Sequence, residues 1–430
     1  MNRTHAPAPR LNSRQLTLIL LLFGFSTVSY FDRIIMPAAG PRLMRDFSIS
    51  PTAMGSVYSA FILGYALLMI PGGHLSDRLG ARRTLALMAF GSAGFTALTV
   101  LAGSSLISAW VGTVAILWVI RFGMGIVTAP LYPACACATG DWIPAVYHAR
   151  VQGFIIGGSS LGAAIAPVFF TWLLGRFEWR TPFLLAAVVP AVLSVVWLSF
   201  ARDKATPRRD EGALVTAPKS APWLALFTDR NLMLVTYAYG ALGYFQYIFF
   251  FWMNYYFAEV LHLGEVGSAR YTAIMFLVEG AMMPLGGFVS DRLAKTYGQQ
   301  FGRRWVPIAG LSLGAAFCCA GTVSGGVLAV ACFSFAFGLA ACCEGPFWAT
   351  VTEMAGDHVG SASSILNTGA QVGGFFAPVL TPMIAERFGW SWGLYAGVLV
   401  VLTGVAALYL VKMQPGPTRG ISARLAVFSD

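Results

Sequence analysis

Long apolar segments alternate with short polar loops along almost the whole chain. Each apolar segment has about 20 residues or more, enough to cross a bilayer as an α-helix. Because lipid offers no partner to backbone N–H and C=O groups, segments of this length must satisfy them internally as helices. The predicted helices form two sets of six, at 16–39, 52–75, 84–103, 109–138, 149–174, 180–201, 231–258, 269–290, 305–323, 326–350, 359–386 and 391–412.

The longest polar stretch, 202–230, lies between the two sets of helices and is rich in charged residues and proline. We interpret it as a cytoplasmic linker. The pattern predicts an all-α membrane protein of two pseudo-symmetric six-helix bundles. The N-terminal bundle would occupy 1–201 and the C-terminal bundle 231–430.

Two short motifs recur at a distance of about half the chain. The sequence GGHLSDRLGARR at Gly72–Arg83 returns as GGFVSDRLAK at Gly286–Lys295, and Gly158–Pro167 aligns with Gly369–Pro378. The repeats indicate that the two halves are built alike, as in transporters with internal repeats. Both copies of the second motif carry glycines four residues apart, which predicts close helix packing.

Composition supports the membrane assignment and limits what the charge can mean. Hydrophobic residues make up 57% of the chain and charged residues 11%, although the net charge is +10. Lys and Arg concentrate in the loops that share one side when both termini are cytoplasmic, as the positive-inside rule requires. We therefore expect a multi-pass protein of a bacterial inner membrane whose positive charge sets topology. No nucleic-acid partner is expected.

Other classes lack their signatures. No nucleophile–base pair or metal-ligand spacing is present, so we expect neither an enzyme nor a cofactor. The seven cysteines fall in or at the ends of predicted helices, which favours packing over a disulfide framework. The first apolar run is too long for a signal peptide and is interpreted as an uncleaved helix. A monomer is expected.

The motif G-x-L-S-D-R-x-G-x-R-R at Gly73–Arg83 resembles the signature of the major facilitator superfamily. In the second copy Ala294 stands where the first has Gly80. The resemblance implies twelve helices in two domains and alternating access to a central cavity. The stretches SYFDR at Ser29–Arg33 and GPFWATVTE at Gly345–Glu353 are similar to its anion:cation symporter branch, which carries sugar acids and other carboxylates.

The repeated loop is a candidate gate. A carboxylate at Asp77 could accept hydrogen bonds from the N-terminus of a neighbouring helix and hold the inner side shut. The alternative is a turn that only sets topology. The residues predicted to act in gating are Gly73, Asp77, Arg78, Gly80, Arg82, Asp291 and Arg292.

Charged side chains inside the predicted helices are candidates for function, because burying them in a bilayer is costly. Arg33 and Arg121 could each fork onto the carboxylate of an organic anion, and the branch resemblance implies that role. Alternatively, Arg121 forms a structural ion pair with Asp32. Asp32 could carry a coupling proton, or only neutralise an arginine.

One position departs from the branch. Symporters of this type usually place a glutamate where this chain has Thr128, so the usual second proton site is missing. Glu344, one turn before Trp348, could take that role. Glu279 could do so too, but a buried hydrogen bond to a neighbouring helix explains it equally well.

Polar and aromatic residues complete the predicted substrate site. For any single tyrosine, packing or interfacial anchoring is an alternative. Besides the two arginines, the predicted substrate-binding residues are Tyr30, Tyr65, Gln246, Tyr247, Trp348, Asn367 and Gln371.

Together these features predict a secondary transporter that imports a small organic anion, such as a sugar acid or an aromatic acid, together with protons. Its partners would be the anion, protons and the lipid bilayer. An uncoupled facilitator or exporter of the same fold is one alternative, and a membrane sensor that binds without transporting is another.

Overall fold

The computed structural model describes residues 11–104, 112–144, 147–201, 223–355 and 359–411. Within these ranges every regular element is a helix, which confirms the all-α class. Twelve long helices follow one another along the chain. They are α1 (Ser13–Phe47), α2 (Pro51–Ser76), α3 (Arg78–Gly103), α4 (Thr113–Trp142), α5 (His148–Leu174), α6 (Arg180–Phe200), α7 (Arg230–Tyr255), α8 (Glu265–Tyr297), α9 (Gln299–Val323), α10 (Gly326–Met354), α11 (Val359–Phe388) and α12 (Trp390–Leu410).

Ten of these helices are long and apolar enough to cross a membrane, judged by length and composition, and α7 and α11 complete the twelve. Several are interrupted. Gly80, at φ 77° and ψ 161°, breaks the helical path near the start of α3. In α4 the regular helix stops at Thr128 and resumes at Leu131. In α10 it stops at Ala341 and resumes at Glu344.

The first helix is longer than its apolar run predicts, because it continues through polar turns to Phe47. Arg42 and Asp46, one turn apart in this extension, form an ion pair at 2.9 Å. Such i,i+4 pairs support a helix beyond its apolar part, which explains why the loss of hydropathy after residue 39 did not mark its end.

The chain forms two compact units. One comprises Met1–Ala39 and Leu63–Pro207, and the other Gly40–Ile62 and Arg208–Asp430. The boundaries of the two predicted domains stay a prediction.

Within the second unit, polar contacts secure the segment 40–62. The hydroxyl of Ser59 donates to the carbonyl of Phe375 at 2.6 Å. The Thr52 N–H, at the start of α2, donates to the Glu386 carboxylate at 2.9 Å. A carboxylate at a helix N-terminus also complements the helix dipole.

Close helix packing at the predicted glycines is confirmed in the first unit. A Cβ atom added to Gly158 of α5 would lie 2.7 Å from the Phe23 carbonyl oxygen of α1. One added to Gly162 would lie 2.8 Å from the Thr27 carbonyl carbon and 3.0 Å from the Phe31 nitrogen. Only glycine permits this approach of two backbones.

The second unit repeats the arrangement between α11 and α7. A Cβ atom on Gly369 would lie 2.6 Å from the Thr236 carbonyl oxygen, and one on Gly373 would lie 2.8 Å from the Tyr244 nitrogen. The predicted correspondence between the two glycine motifs therefore has the same structural basis in each half.

Candidate functional site

Asp32 and Arg33 of α1 are both buried in the first unit. One carboxylate oxygen of Asp32 accepts a hydrogen bond of 2.6 Å from the Ser92 hydroxyl of α3. The Arg33 guanidinium lies over the Tyr30 ring, 5.5 Å from its centroid. That distance is within the range of a cation–π interaction, so Tyr30 and Arg33 share one face of α1, as predicted.

Arg121 of α4 is also buried and reaches across to the backbone of α1. Its Nη2 atom donates to the Arg33 carbonyl oxygen at 3.0 Å, and Nη1 lies 3.4 Å from the Asp32 carbonyl oxygen. Nη1 also contacts the Met124 sulfur at 3.1 Å. The hydrogen bonds of Arg121 thus reach backbone carbonyls of both predicted site residues on α1.

Three tyrosines lie close together in the first unit, and one of them, Tyr30, lies against Arg33. The Tyr132 hydroxyl lies 3.3 Å from the Ser26 hydroxyl and also hydrogen-bonds with Tyr30, while Tyr65 lies close to it. Tyr30 and Tyr65 were predicted, and Tyr132 was missed. No regular helical spacing links it to Arg121, because α4 is interrupted between Thr128 and Leu131.

Thr128 is buried in α4, and its hydroxyl donates to the Met124 and Gly125 carbonyls of the same helix at 2.8 and 3.2 Å. This is the common back-bonding of a helical threonine. The Thr128 hydroxyl is therefore bonded to its own helix, at the position where the family resemblance led us to expect an acidic residue.

Glu344 lies at the centre of a polar cluster in the second unit. Its carboxylate accepts a hydrogen bond of 2.6 Å from the Tyr239 hydroxyl and further bonds from Gln246 and Trp348. The Trp348 indole N–H also donates to the Tyr239 hydroxyl at 3.0 Å. The predicted residues Gln246, Glu344 and Trp348 are thus brought together, and Tyr239 is the member that sequence reasoning missed.

The remaining predicted residues of the second unit lie on α7, α8 and α11. The Tyr247 hydroxyl is 3.4 Å from the Gln371 side-chain oxygen, and both residues are buried. Asn367 is half-buried on α11. Glu279 is buried in α8, which fits either interpretation of its role.

The first copy of the repeated loop contains a backbone position that requires glycine. Gly80 has φ 77° and ψ 161°, a conformation that side chains with a Cβ rarely adopt. Arg82 donates to the Leu198 carbonyl at 3.0 Å, in the last turn of α6, where a cation complements the helix dipole. Gly73 is half-buried and Arg78 exposed. The Asp77 side chain lies outside the described residues.

The second copy shows a more extended ion network. Arg303 contacts the Asp291 carboxylate at 2.6 Å, the Ser290 hydroxyl at 3.0 Å and the Glu353 carboxylate at 2.9 Å. Arg292, the other predicted residue, is exposed. Arg303 and Glu353 were missed because they lie outside the repeated motif.

The second loop also contains a glycine with positive φ, Gly298, but it lies four residues after the position that aligns with Gly80. Gly298, at φ 95° and ψ 154°, separates α8 from α9. It therefore interrupts the helical path in the second loop, as Gly80 does in the first. Ala294 is therefore not the structural counterpart of Gly80, because the second loop is longer. Arg304 then donates to the Tyr409 carbonyl in the last turn of α12, as Arg82 does to α6.

Among the described residues, no group of three or more His, Cys, Asp or Glu could hold a metal ion. The candidate sites are therefore built from arginine, carboxylate, tyrosine and amide groups, which bind ions and polar solutes through hydrogen bonds and charge.

Several transporters of acids are similar to this chain over nearly its whole length. The hexuronate transporter of Bacillus subtilis (strain 168) is 27% identical over 425 residues, covering 95% of this chain and 97% of that protein. The probable sulfoacetate transporter SauU of Cupriavidus necator is 27% identical, covering 94% and 95%. The probable L-galactonate transporter of Escherichia coli (strain K12) is 27% identical, covering 94% and 91%.

Solved structures show the same fold. A bacterial homolog of the human lysosomal transporter Spinster, in an inward-facing and occupied conformation, aligns with a TM-score of 0.77 at 16% identity, covering 95% of this chain and 100% of that one. The xylose transporter XylE from E. coli aligns with a TM-score of 0.72 at 17% identity, covering 96% and 99%.

The family model of the Major Facilitator Superfamily matches residues 21–299 and 296–429. The resemblance read from the repeated loop is confirmed, as is its finer match to the anion:cation symporter branch, since the curated relatives are transporters of sugar acids. The chain is a multi-pass membrane transporter and belongs to the Major Facilitator Superfamily.

Proposed function

We propose that this transporter imports a small organic anion of the sugar-acid class together with protons, by alternating access. The observation that carries the proposal is the buried Arg33 guanidinium over the Tyr30 ring, which itself belongs to a cluster with Tyr65 and Tyr132. A guanidinium recognises a carboxylate with two parallel hydrogen bonds. Phenol hydroxyls can both donate to and accept from the hydroxyl groups of a sugar acid.

The relatives support this substrate class. Their names give hexuronate, L-galactonate and sulfoacetate as transported compounds, all of which are small organic anions. Two of the three carry several hydroxyl groups, and for these the tyrosine cluster offers complementary partners.

Proton coupling is proposed to rest on Asp32. Its carboxylate is buried one residue before Arg33 and is bonded to Ser92. The positive charge that acts on this carboxylate is that of the buried Arg121. A proton on Asp32 would remove the negative charge that offsets it and so favour an incoming anion, because opposite charges attract strongly at low dielectric. Glu344, in the second unit, is the second candidate for this role.

We further propose that the protein lies in a bacterial inner membrane as a monomer with both termini cytoplasmic. The distribution of Lys and Arg among the loops supports the orientation, and the bacterial relatives support the choice of membrane. Cysteine labelling of loop positions in intact cells would test the orientation.

A thermal-shift panel on the purified protein tests the substrate class, since a bound ligand raises apparent stability by mass action. The panel would contain a hexuronate, a galactonate, a glucarate, sulfoacetate and a neutral hexose. We expect stabilisation by at least one anion and none by the hexose. Stabilisation by the hexose alone would contradict the anion proposal.

Arg33→Lys tests the arginine directly. Lysine keeps the charge but cannot form the forked contact, so we expect the stabilising anion to bind at least about tenfold more weakly, the loss expected when a charge-assisted hydrogen bond is removed. Arg176→Lys is the matched control, because Arg176 is an exposed arginine over the Trp172 ring. Unchanged binding in Arg33→Lys would remove Arg33 from the site.

An uncoupled carrier is the second candidate function, and Thr128 favours it. The Thr128 hydroxyl does not titrate and is bonded to its own helix. Proteoliposomes separate the two candidates. If an inward proton gradient drives accumulation of the anion, the protein is a symporter. If the anion only equilibrates, the protein is uncoupled.

A further inference from the structure

Pro37 lies within α1, four residues after Arg33. In an α-helix the carbonyl of residue i accepts from the N–H of residue i+4. Proline has no N–H, so Pro37 cannot supply the helical hydrogen bond to the Arg33 carbonyl. A backbone carbonyl in the interior of a membrane protein needs a partner, because leaving it unsatisfied is costly.

Arg121 supplies this partner from a neighbouring helix. Its Nη2 atom donates to the Arg33 carbonyl at 3.0 Å, the shorter of its two contacts with α1 carbonyls. Arg121 is itself buried, and a buried guanidinium needs acceptors as much as the carbonyl needs a donor. This hydrogen bond therefore serves both groups.

The second unit solves the same problem in the same way. Pro382 of α11 lies four residues after Pro378, so the Pro378 carbonyl also lacks its helical donor. The indole N–H of Trp252, on α7, donates to that carbonyl at 3.1 Å. There the donor is neutral, which shows that satisfying such a carbonyl needs an N–H from a neighbouring helix and no charge.

We propose that Arg121 is a positioning residue, which holds α1 through the carbonyl that Pro37 leaves without a helical donor and so fixes where Arg33 is presented. Arg121 acts on the substrate through Arg33. The functional part of this inference rests on the proposed role of Arg33 in anion binding, whereas the part about α1 does not.

The proposal makes the need for Arg121 depend on Pro37. Pro37→Ala restores an N–H to the helix and so offers the Arg33 carbonyl its ordinary partner. The test is a double-mutant cycle of Arg121→Ala and Pro37→Ala, with Arg176→Ala as the control for loss of an exposed arginine. All variants are purified as the full chain.

The first readout is hydrogen exchange of α1 amides without any added anion. We expect exchange around residues 30–37 to be faster by about tenfold or more in Arg121→Ala, the effect of losing one charge-assisted hydrogen bond. It should return toward the native rate in the double variant. Native exchange in Arg121→Ala would overturn the proposal. Because no anion is present, failure of the proposed function would not affect this readout.

The second readout is uptake of whichever anion from the thermal-shift panel stabilises the native protein. We expect Arg121→Ala to raise KM, and Pro37→Ala to restore most of the loss in the double variant. If α1 exchange is rescued but KM is not, Arg121 acts on anion binding by a route other than α1, and its proposed action through Arg33 is wrong. If Pro37→Ala does not fold, the exchange rates of Arg121→Ala alone still decide the α1 part.

Discussion

Gly162→Ala should damage the substrate site through the backbone of α1. The added Cβ would overlap the Thr27 carbonyl oxygen, and it would also lie 2.8 Å from the Thr27 carbonyl carbon and 3.0 Å from the Phe31 nitrogen. Because non-bonded carbon atoms pack best at about 3.5–4.0 Å, α1 would have to move by at least roughly 1 Å at this turn. All three contacts are backbone atoms and cannot rotate away. Asp32 and Arg33 follow Phe31 directly, so they would move with it.

The size of the effect follows from this displacement. A misplacement of about 1 Å can cost roughly 100-fold in rate, so we expect kcat/KM for uptake to fall by about 10- to 100-fold. Overpacking lowers the free energy of unfolding by about 1–3 kcal/mol. The better helix propensity of alanine offsets up to about 1 kcal/mol of this loss. The melting temperature should therefore fall only modestly.

Proteoliposome uptake and thermal unfolding in detergent measure the two effects. Gly157→Ala is the matched control on the same helix, because a Cβ there meets nothing within 4 Å. We expect the control to transport normally and to be as stable as the native protein or slightly more so. If Gly162→Ala transports as well as Gly157→Ala, the α1–α5 contact does not position the site.

Three further outcomes are expected. Asp77→Asn should slow turnover measured by uptake while leaving the anion Kd unchanged, because Asp77 lies in the loop between α2 and α3; a weaker Kd with normal turnover would contradict a gate role. Gly298→Ala should reduce the free energy of unfolding by about 1–3 kcal/mol, the cost of a sparsely populated backbone conformation, and so lower the melting temperature. The control Gly287→Ala, where a Cβ meets nothing within 4 Å, should not lower it. Asp32→Asn should abolish accumulation driven by a proton gradient but keep anion exchange, whereas Glu344→Gln should keep both.

The helices and their close contacts could be predicted from sequence because each depends on a local requirement. A bilayer leaves an apolar segment of this length no regular conformation but a helix. Glycines four residues apart allow two backbones to meet wherever their face is buried, and both predicted pairs do so. Neither prediction requires knowing which helix packs against which.

The contacts between side chains within the sites could not be predicted, because they depend on which helices pack together. Tyr239 meets Glu344 across two helices separated by about a hundred residues, and no motif links them. Gly298 of the second loop corresponds in conformation to Gly80 of the first, but the second loop is longer. Aligning the two motifs residue by residue therefore pairs Gly80 with Ala294. Arg121 was expected to interact with a carboxylate, and the Asp32 carboxylate does lie within its electrostatic reach. Its hydrogen bond to the carbonyl that Pro37 leaves without a helical donor was not predicted.

Asp32→Asn and Glu344→Gln are expected to differ in proton-driven accumulation because the two carboxylates accept hydrogen bonds from different numbers of donors. Glu344 accepts from Tyr239, Gln246 and Trp348. Hydrogen bonds of this kind stabilise a charged carboxylate. For Asp32, Ser92 donates to one oxygen, while the other oxygen is buried and accepts no hydrogen bond within the described part of the chain.

A buried carboxylate oxygen without a donor is the better place to receive a proton, because protonation removes a charge that its surroundings support only weakly. We therefore expect Asp32 to exchange the coupling proton and Glu344 to hold Tyr239 and Trp348 in place. In proteoliposomes under an inward proton gradient, Asp32→Asn should equilibrate the anion without concentrating it. Glu344→Gln can still accept from Tyr239 and should concentrate it. The opposite result, with accumulation lost only in Glu344→Gln, would indicate that Glu344 carries the coupling proton.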